Sequence, residues 1–217
     1  MESRQVFLSG GTGYVGGALV AKLIERGHRV RVLARAGSEH KVSGGAEAVP
    51  GNPLDPATFA SFVSAADTFV QLTGVAHPAP WKEQAFRAID LVSVRASAEV
   101  AKRAGVSHFV YVSVARPAPV MKAYIRVRQE GEAILKTLGL TATILRPWYI
   151  LGPGHRWPAT MAPLYALLEA IPATREGARR LGLVTLEQMA TALLWAVENP
   201  PKESRILDVP AIRATSI

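Results

Sequence analysis

The chain reads as a doubly wound α/β architecture, a parallel sheet with helices on both faces, and three observations predict it. Short β-branched runs alternate with helical patterns over the first two thirds of the sequence, as repeated βαβ units do. A glycine cluster stands between the first of those strands and the first helix. Length and composition permit the fold: 217 residues with 49% hydrophobic content can bury one large core, and a charged fraction of 19% argues against a disordered or fibrous chain.

In chain order, the predicted strands are Gln5 to Leu8, His28 to Ala34, Ala46 to Val49, Thr68 to Leu72, Phe109 to Ser113 and Thr143 to Leu145. The first helix spans Tyr14 to Arg26, with Gly27 behind it where a left-handed residue is favoured. Asp55 and Pro56 open the next, one as cap and the other in the first turn. Lys82 to Ala104 reads as one long helix with Phe86, Ile89, Ala96 and Val100 on a single face, and Val120 to Leu138 as another. After Pro147 the character changes. Trp148 to Pro163 is rich in proline and reads as a long loop of the kind that covers a site. A helix at Leu164 to Ala170, a helix opened by the capping-box pair Thr185 and Gln188, and a strand at Arg205 to Val209 complete the chain. The expectation is one domain over 1–217, with 148–217 a short C-terminal extension that is too small to stand as a substrate domain and supplies the substrate-side loop and helices.

The chain contains no cysteine, which removes disulfides, thiol nucleophiles and cysteine-ligated zinc. Histidines such as His77, His108 and His155 are dispersed, with no i, i+4 pair, so no metal is expected. The first residues lack a signal-peptide pattern, and no apolar run approaches the ~20 residues of a membrane span. A soluble, cytoplasmic protein with no membrane partner is expected. The net charge is +8 and the pI about 10.1, but the basic residues are scattered, without interleaved aromatics. That distribution describes a solvated surface better than a nucleic-acid site. The expected partner is a small molecule, and a homodimer is compatible with the sequence.

Gly11, Gly13 and Gly16 form the spacing G-x-G-x-x-G, with Gly10 beside them, directly between a predicted strand and a predicted helix. This is the Rossmann dinucleotide-binding fingerprint, in which glycines allow a tight turn and close approach of a pyrophosphate to a helix N-terminus. Gly10, Gly11, Thr12, Gly13, Tyr14, Val15 and Gly16 are therefore candidate cofactor residues. About 20 residues further on, an NAD site offers an acid to the adenosine ribose, whereas a 2′-phosphate needs a cation. This chain has Arg35 there, with no acid before Glu39, so NADP(H) is expected ahead of NAD(H). The alternative is that Arg35 stacks on the adenine or faces solvent.

An ordered series of motifs resembles the short-chain dehydrogenase/reductase superfamily, specifically its extended and atypical branches with the NmrA-like NAD(P)-binding proteins. Its pieces are Ser9 to Gly16, Gly51 to Asp55, Ala104 to Val106 leading into Val110 to Ser113, Tyr124 to Glu132, Ile144 to Pro147 and Gly152 to Gly154. The resemblance implies that Asn52 and Leu54 lie near the adenine, with Thr73 and Gly74 along the cofactor. It implies a catalytic serine at Ser113 and a catalytic tyrosine at Tyr124. The lysine that the family carries four residues later is Arg128 here.

Residues four apart share a helix face, so the Arg128 guanidinium could approach both Tyr124 and a ribose, and a fixed cation lowers a phenol's pKa. The alternative is a tyrosine and an arginine on a half-exposed helix face. Arg146, at the end of the sixth strand, is placed where doubly wound sheets bind ligands, and it is a substrate-side candidate with Trp148 and His155. His155 lies in the proline-rich stretch, where an ordinary surface loop is the alternative. The leading expectation is an NADP-dependent oxidoreductase acting on a small carbonyl or alcohol. A non-catalytic NADP(H)-binding sensor or structural subunit is the alternative, with a sugar-nucleotide epimerase or dehydratase more distant.

Overall fold

A computed structural model describes residues 2–64, 66–153, 171 and 174–216. The expected helix at Leu164 to Ala170, most of the proline-rich stretch and His155 fall outside them. Strands β1 (Gln5–Ser9), β2 (Arg29–Ala34), β3 (Glu47–Pro50), β4 (Thr68–Gln71), β5 (His108–Val112) and β6 (Ala142–Leu145) lie within two residues of the expected bounds. With β9 (Arg205–Leu207) they form a seven-stranded sheet of order β3-β2-β1-β4-β5-β6-β9, every pair parallel. The order reverses between β1 and β4. A Rossmann-like sheet binds its ligand at that point, beyond the carboxyl ends of the strands.

Strand alternation sorts the core into two layers. Val6, Leu8, Val32, Val70, Val110 and Leu145 face α1 (Tyr14–Glu25) and α7 (Leu186–Glu198). Phe7, Leu33, Phe69, Phe109, Tyr111 and Ile144 face α4 (Val92–Arg103) and α5 (Lys122–Thr137). The helix α7 starts at the expected capping box, where Thr185 Oγ1 accepts from the Gln188 backbone N–H and Gln188 Oε1 accepts from the Thr185 backbone N–H. Asp55 caps a short 3₁₀ turn, Pro56–Thr58, that leads into α2 (Ala60–Val63). No helix among the described residues is long and apolar enough to cross a membrane.

Two expectations are corrected. The long helix over Lys82 to Ala104 is not uniform: the short α3 (Glu83–Ala85) passes into a π-helical segment, Phe86–Leu91, before α4 begins. Widened turns of this kind gather at functional sites. Here the segment carries Asp90, a carboxylate only 1% exposed. The stretch after Pro147 is also not all loop, because β7 (Tyr149–Leu151) pairs in parallel with β8 (Leu183–Thr185), which follows α6 (Arg175–Arg180). Period-two alternation cannot show over three residues, so a strand this short left no signal. The chain closes with α8 (Val209–Ala214).

Candidate functional site

The glycine turn sits at the carboxyl end of β1, against the strand-order reversal. Gly10 has φ +87°, and a Cβ there would stand 2.7 Å from the Leu72 carbonyl carbon and the Thr73 nitrogen of the loop after β4. A Cβ on Gly16 would fall on the Gly10 carbonyl oxygen, so the helix can approach the turn only without a side chain. Gly13 caps α1 with no side-chain acceptor, and the first turn holds no acid. The turn is thus a cradle of backbone N–H groups at a helix N-terminus, and these residues fit a pyrophosphate. Ser9 Oγ and Thr73 Oγ1, 2.5 Å apart, tie the two loops together. The Tyr14 hydroxyl lies against the backbone of Gly152, which joins the start of α1 to the segment after β7.

Arg35 is the first residue beyond β2, exposed at the same edge of the sheet. Asn52 and Leu54 stand in the turn after β3, where Asn52 Oδ1 accepts from the Leu54 N–H and Gly51 N–H donates to the Ala34 carbonyl. That last bond sets the turn beside Arg35.

Tyr124 and Arg128 are together, as their spacing predicts: the guanidinium carbon lies 5.0 Å from the Tyr124 ring centroid and 5.8 Å from that of Tyr111. Nη1 donates to the Val112 carbonyl at 2.9 Å and Nη2 to Asp90 Oδ1 at 2.6 Å, while Asp90 Oδ2 accepts from the Val75 N–H. Gly74 covers this pair, and a Cβ there would stand 2.6 Å from Arg128 Nη2. A guanidinium has five N–H donors, so Arg128 has donors beyond these two bonds, of which Nε is buried. Phe86 packs against Tyr124, with ring centroids 4.9 Å apart.

The expected lowering of the Tyr124 pKa is reversed. Burial raises it above the ordinary 10.0; Arg128 pulls it down, but Asp90 offsets part of that pull. Burial also raises the Asp90 carboxyl, against the opposing attraction of Arg128. Asp90 was not among the candidates. Its signal was an acid among Phe86, Ser93 and Ser97 on the inward face of its helix, a place where a charge survives only with a partner.

Ser113 joins a different cluster. Its hydroxyl donates to Glu132 Oε1 at 2.6 Å, and the same carboxylate accepts from Arg146 through Nε at 3.0 Å and Nη2 at 2.5 Å and from Arg116 Nη2 at 2.6 Å. Glu132, four residues beyond Arg128 on α5, is the second residue that sequence reasoning did not single out. Arg146 therefore enters the site through Glu132. Trp148 packs half-buried against the core with its ring edge-on to Tyr149, 5.7 Å between centroids.

Known proteins resemble this chain in sequence and in fold. A ceramide reductase of Caulobacter vibrioides is 26% identical over 197 residues, covering 90% of this chain and 61% of the relative. A 3 beta-hydroxysteroid dehydrogenase/Delta 5-->4-isomerase of Mycobacterium tuberculosis is 32% identical over 118 residues, 52% of this chain and 32% of the relative. The chain thus spans less than two thirds of the length of either. The Bordetella bronchiseptica enzyme WbmH, solved in complex with NAD+, superposes with a TM-score of 0.70 at 19% identity, over 91% of this chain and 73% of that one. Residues 10–160 match the NAD(P)H-binding family profile, a span that runs from the glycine turn past Arg146, and the chain belongs to that family.

Proposed function

We propose that the chain is an NADP(H)-dependent oxidoreductase of the short-chain dehydrogenase/reductase kind, reducing a small carbonyl substrate with Tyr124 as proton donor. The observation that carries this reading is the Tyr124–Arg128 pair beneath Gly74, one strand away from the glycine cradle. When bound, the nicotinamide supplies a hydride to the carbonyl carbon. Tyr124 is protonated at neutral pH, as an ordinary phenol is, and burial raises its pKa further, so it serves as an acid toward the carbonyl oxygen. Arg128, held by Asp90 and the Val112 carbonyl, fixes the phenol's position and offers its remaining N–H groups to the ribose. Arg35 reads the 2′-phosphate through charge-assisted hydrogen bonds. The two relatives, named as a reductase and a dehydrogenase, lend support for the reaction type.

NADPH oxidation over a panel of aldehydes, ketones and quinones tests the reading. Tyr124→Phe should bind NADPH as the parent does and lose about 10² to 10⁴-fold in turnover. A phenylalanine variant as active as the parent removes the assignment. One observation favours a second reading, a non-catalytic NADP(H)-binding sensor or structural subunit: the Ser113 hydroxyl is committed to Glu132. Tight NADPH binding with no turnover across the panel would support it.

A further inference from the structure

A cavity of about 560 Å³ opens beyond the carboxyl ends of β5 and β6, lined by Arg116, Lys122, Arg126 and Arg146 with Ile125 and Pro117 as apolar wall. Four cations face it, and no acid is in its lining. Arg116 and Arg146 share one carboxylate, Glu132, while Lys122 and Arg126 have no acidic partner among the described residues. The helix α5 begins beside the cavity at Lys122 with no side-chain cap and no acid in its first turn, so its partial positive charge adds to the same field. We propose that this cavity binds an anionic group of the substrate, a carboxylate or phosphate, a proposal that rests on the oxidoreductase reading.

A concave, cationic recess does not follow from scattered surface charge. The four cations have one counter-charge, Glu132, so an incoming anion relieves their remaining mutual repulsion. Glu132 pre-orients the two arginines by accepting from both, which removes part of the ordering cost of an incoming oxyanion. Exposed edges of the forks then remain for paired hydrogen bonds to an oxyanion. The lining holds no aromatic side chain on which a nucleic-acid base could stack. Ser113 donates to the same Glu132 carboxylate that orients Arg116 and Arg146, so the cavity and the end of β5 share one hydrogen-bonded cluster.

Two measurements on the intact chain decide this. In the first, benzoate and phenyl phosphate are titrated by calorimetry at fixed ionic strength into the parent and into Lys122→Gln/Arg126→Gln, whose two exposed side chains are not part of the core. At least one probe should bind the parent, with affinity falling about tenfold or more in the variant and NADPH affinity unchanged. The stronger probe names the oxyanion. Binding of neither probe, or equal binding by both proteins, overturns the proposal. In the second, 4-formylbenzoate is compared with its methyl ester as a substrate. The acid should have a KM about tenfold lower than the ester, the equivalent of about 1.4 kcal/mol, and the double variant should abolish the difference. An equal or better ester overturns the proposal. If neither aldehyde is reduced, the oxidoreductase reading is weakened, and the titration still decides the cavity.

Discussion

Arg128 and Asp90, 38 residues apart in the chain, meet through a 2.6 Å charge-assisted hydrogen bond beneath Gly74. Both side chains are withdrawn from water, at 7% and 0% exposure. Removing one partner of such a pair leaves a buried charge uncompensated and costs about 3 to 5 kcal/mol. Asp90→Asn should therefore lower the unfolding free energy extrapolated from urea titration by an amount in that range. It should also lower the Tyr124 pKa, because the Asp90 charge is one of the influences that raise it. Ultraviolet titration of the phenols follows this, and an unchanged titration would show that Asp90 does not act on Tyr124.

The glycines of the turn separate folding from binding. Gly16→Ala drives a Cβ into the Gly10 carbonyl oxygen and to 2.7 Å from the Gly11 Cα, so it should destabilise the fold by about 1 to 3 kcal/mol. Gly13 has an ordinary φ of −88°, and a Cβ there meets only the Gly10 oxygen, at 3.2 Å. Gly13→Val should keep its thermal midpoint within a few degrees, about what 1 kcal/mol moves it, yet lose NADPH binding, because the side chain occupies the cradle. Calorimetry that finds parental affinity in the valine variant would move the pyrophosphate elsewhere.

Arg35 decides cofactor choice if it reads the 2′-phosphate. Charged hydrogen bonds worth roughly 1.5 to 3 kcal/mol should make NADPH bind about ten- to a hundredfold more tightly than NADH. Arg35→Asp should reverse the order. Equal affinities in the parent would mean that the side chain faces solvent without contacting the cofactor.

Stability should fall on acidification, through a histidine far from the site. His108 is buried between Thr68 and Thr143, and burial, helped by Arg4 and Arg205, lowers its pKa from 6.5 to about 4. Above 6.5 neither the folded nor the unfolded chain protonates it. Between that pH and about 4 only the unfolded chain binds the proton, so stability is lost across this window, by roughly 3 kcal/mol at its lower end. His108→Gln should flatten this part of the profile in urea unfolding at pH 7.5, 6 and 5, and a variant that loses as much as the parent would exclude His108 as the cause.

The sequence by itself determined the strand order's raw material and the cofactor turn, because both are local. Alternation places Val6, Leu8 and Phe7 on opposite faces, Gly16 must be small to meet Gly10, and Thr185 with Gln188 caps its own helix within four residues. The four-residue spacing likewise placed Tyr124 and Arg128 side by side. Only the tertiary structure decided what surrounds them. Asp90 reaches Arg128 because a π-helical segment and the β4 loop meet α5, and Glu132 gathers Ser113 and Arg116 from the stretch after β5 and Arg146 from the end of β6. The direction of the Tyr124 shift was settled there as well. Spacing shows that a cation is near, but desolvation depends on everything packed around the ring, and here it outweighs the cation.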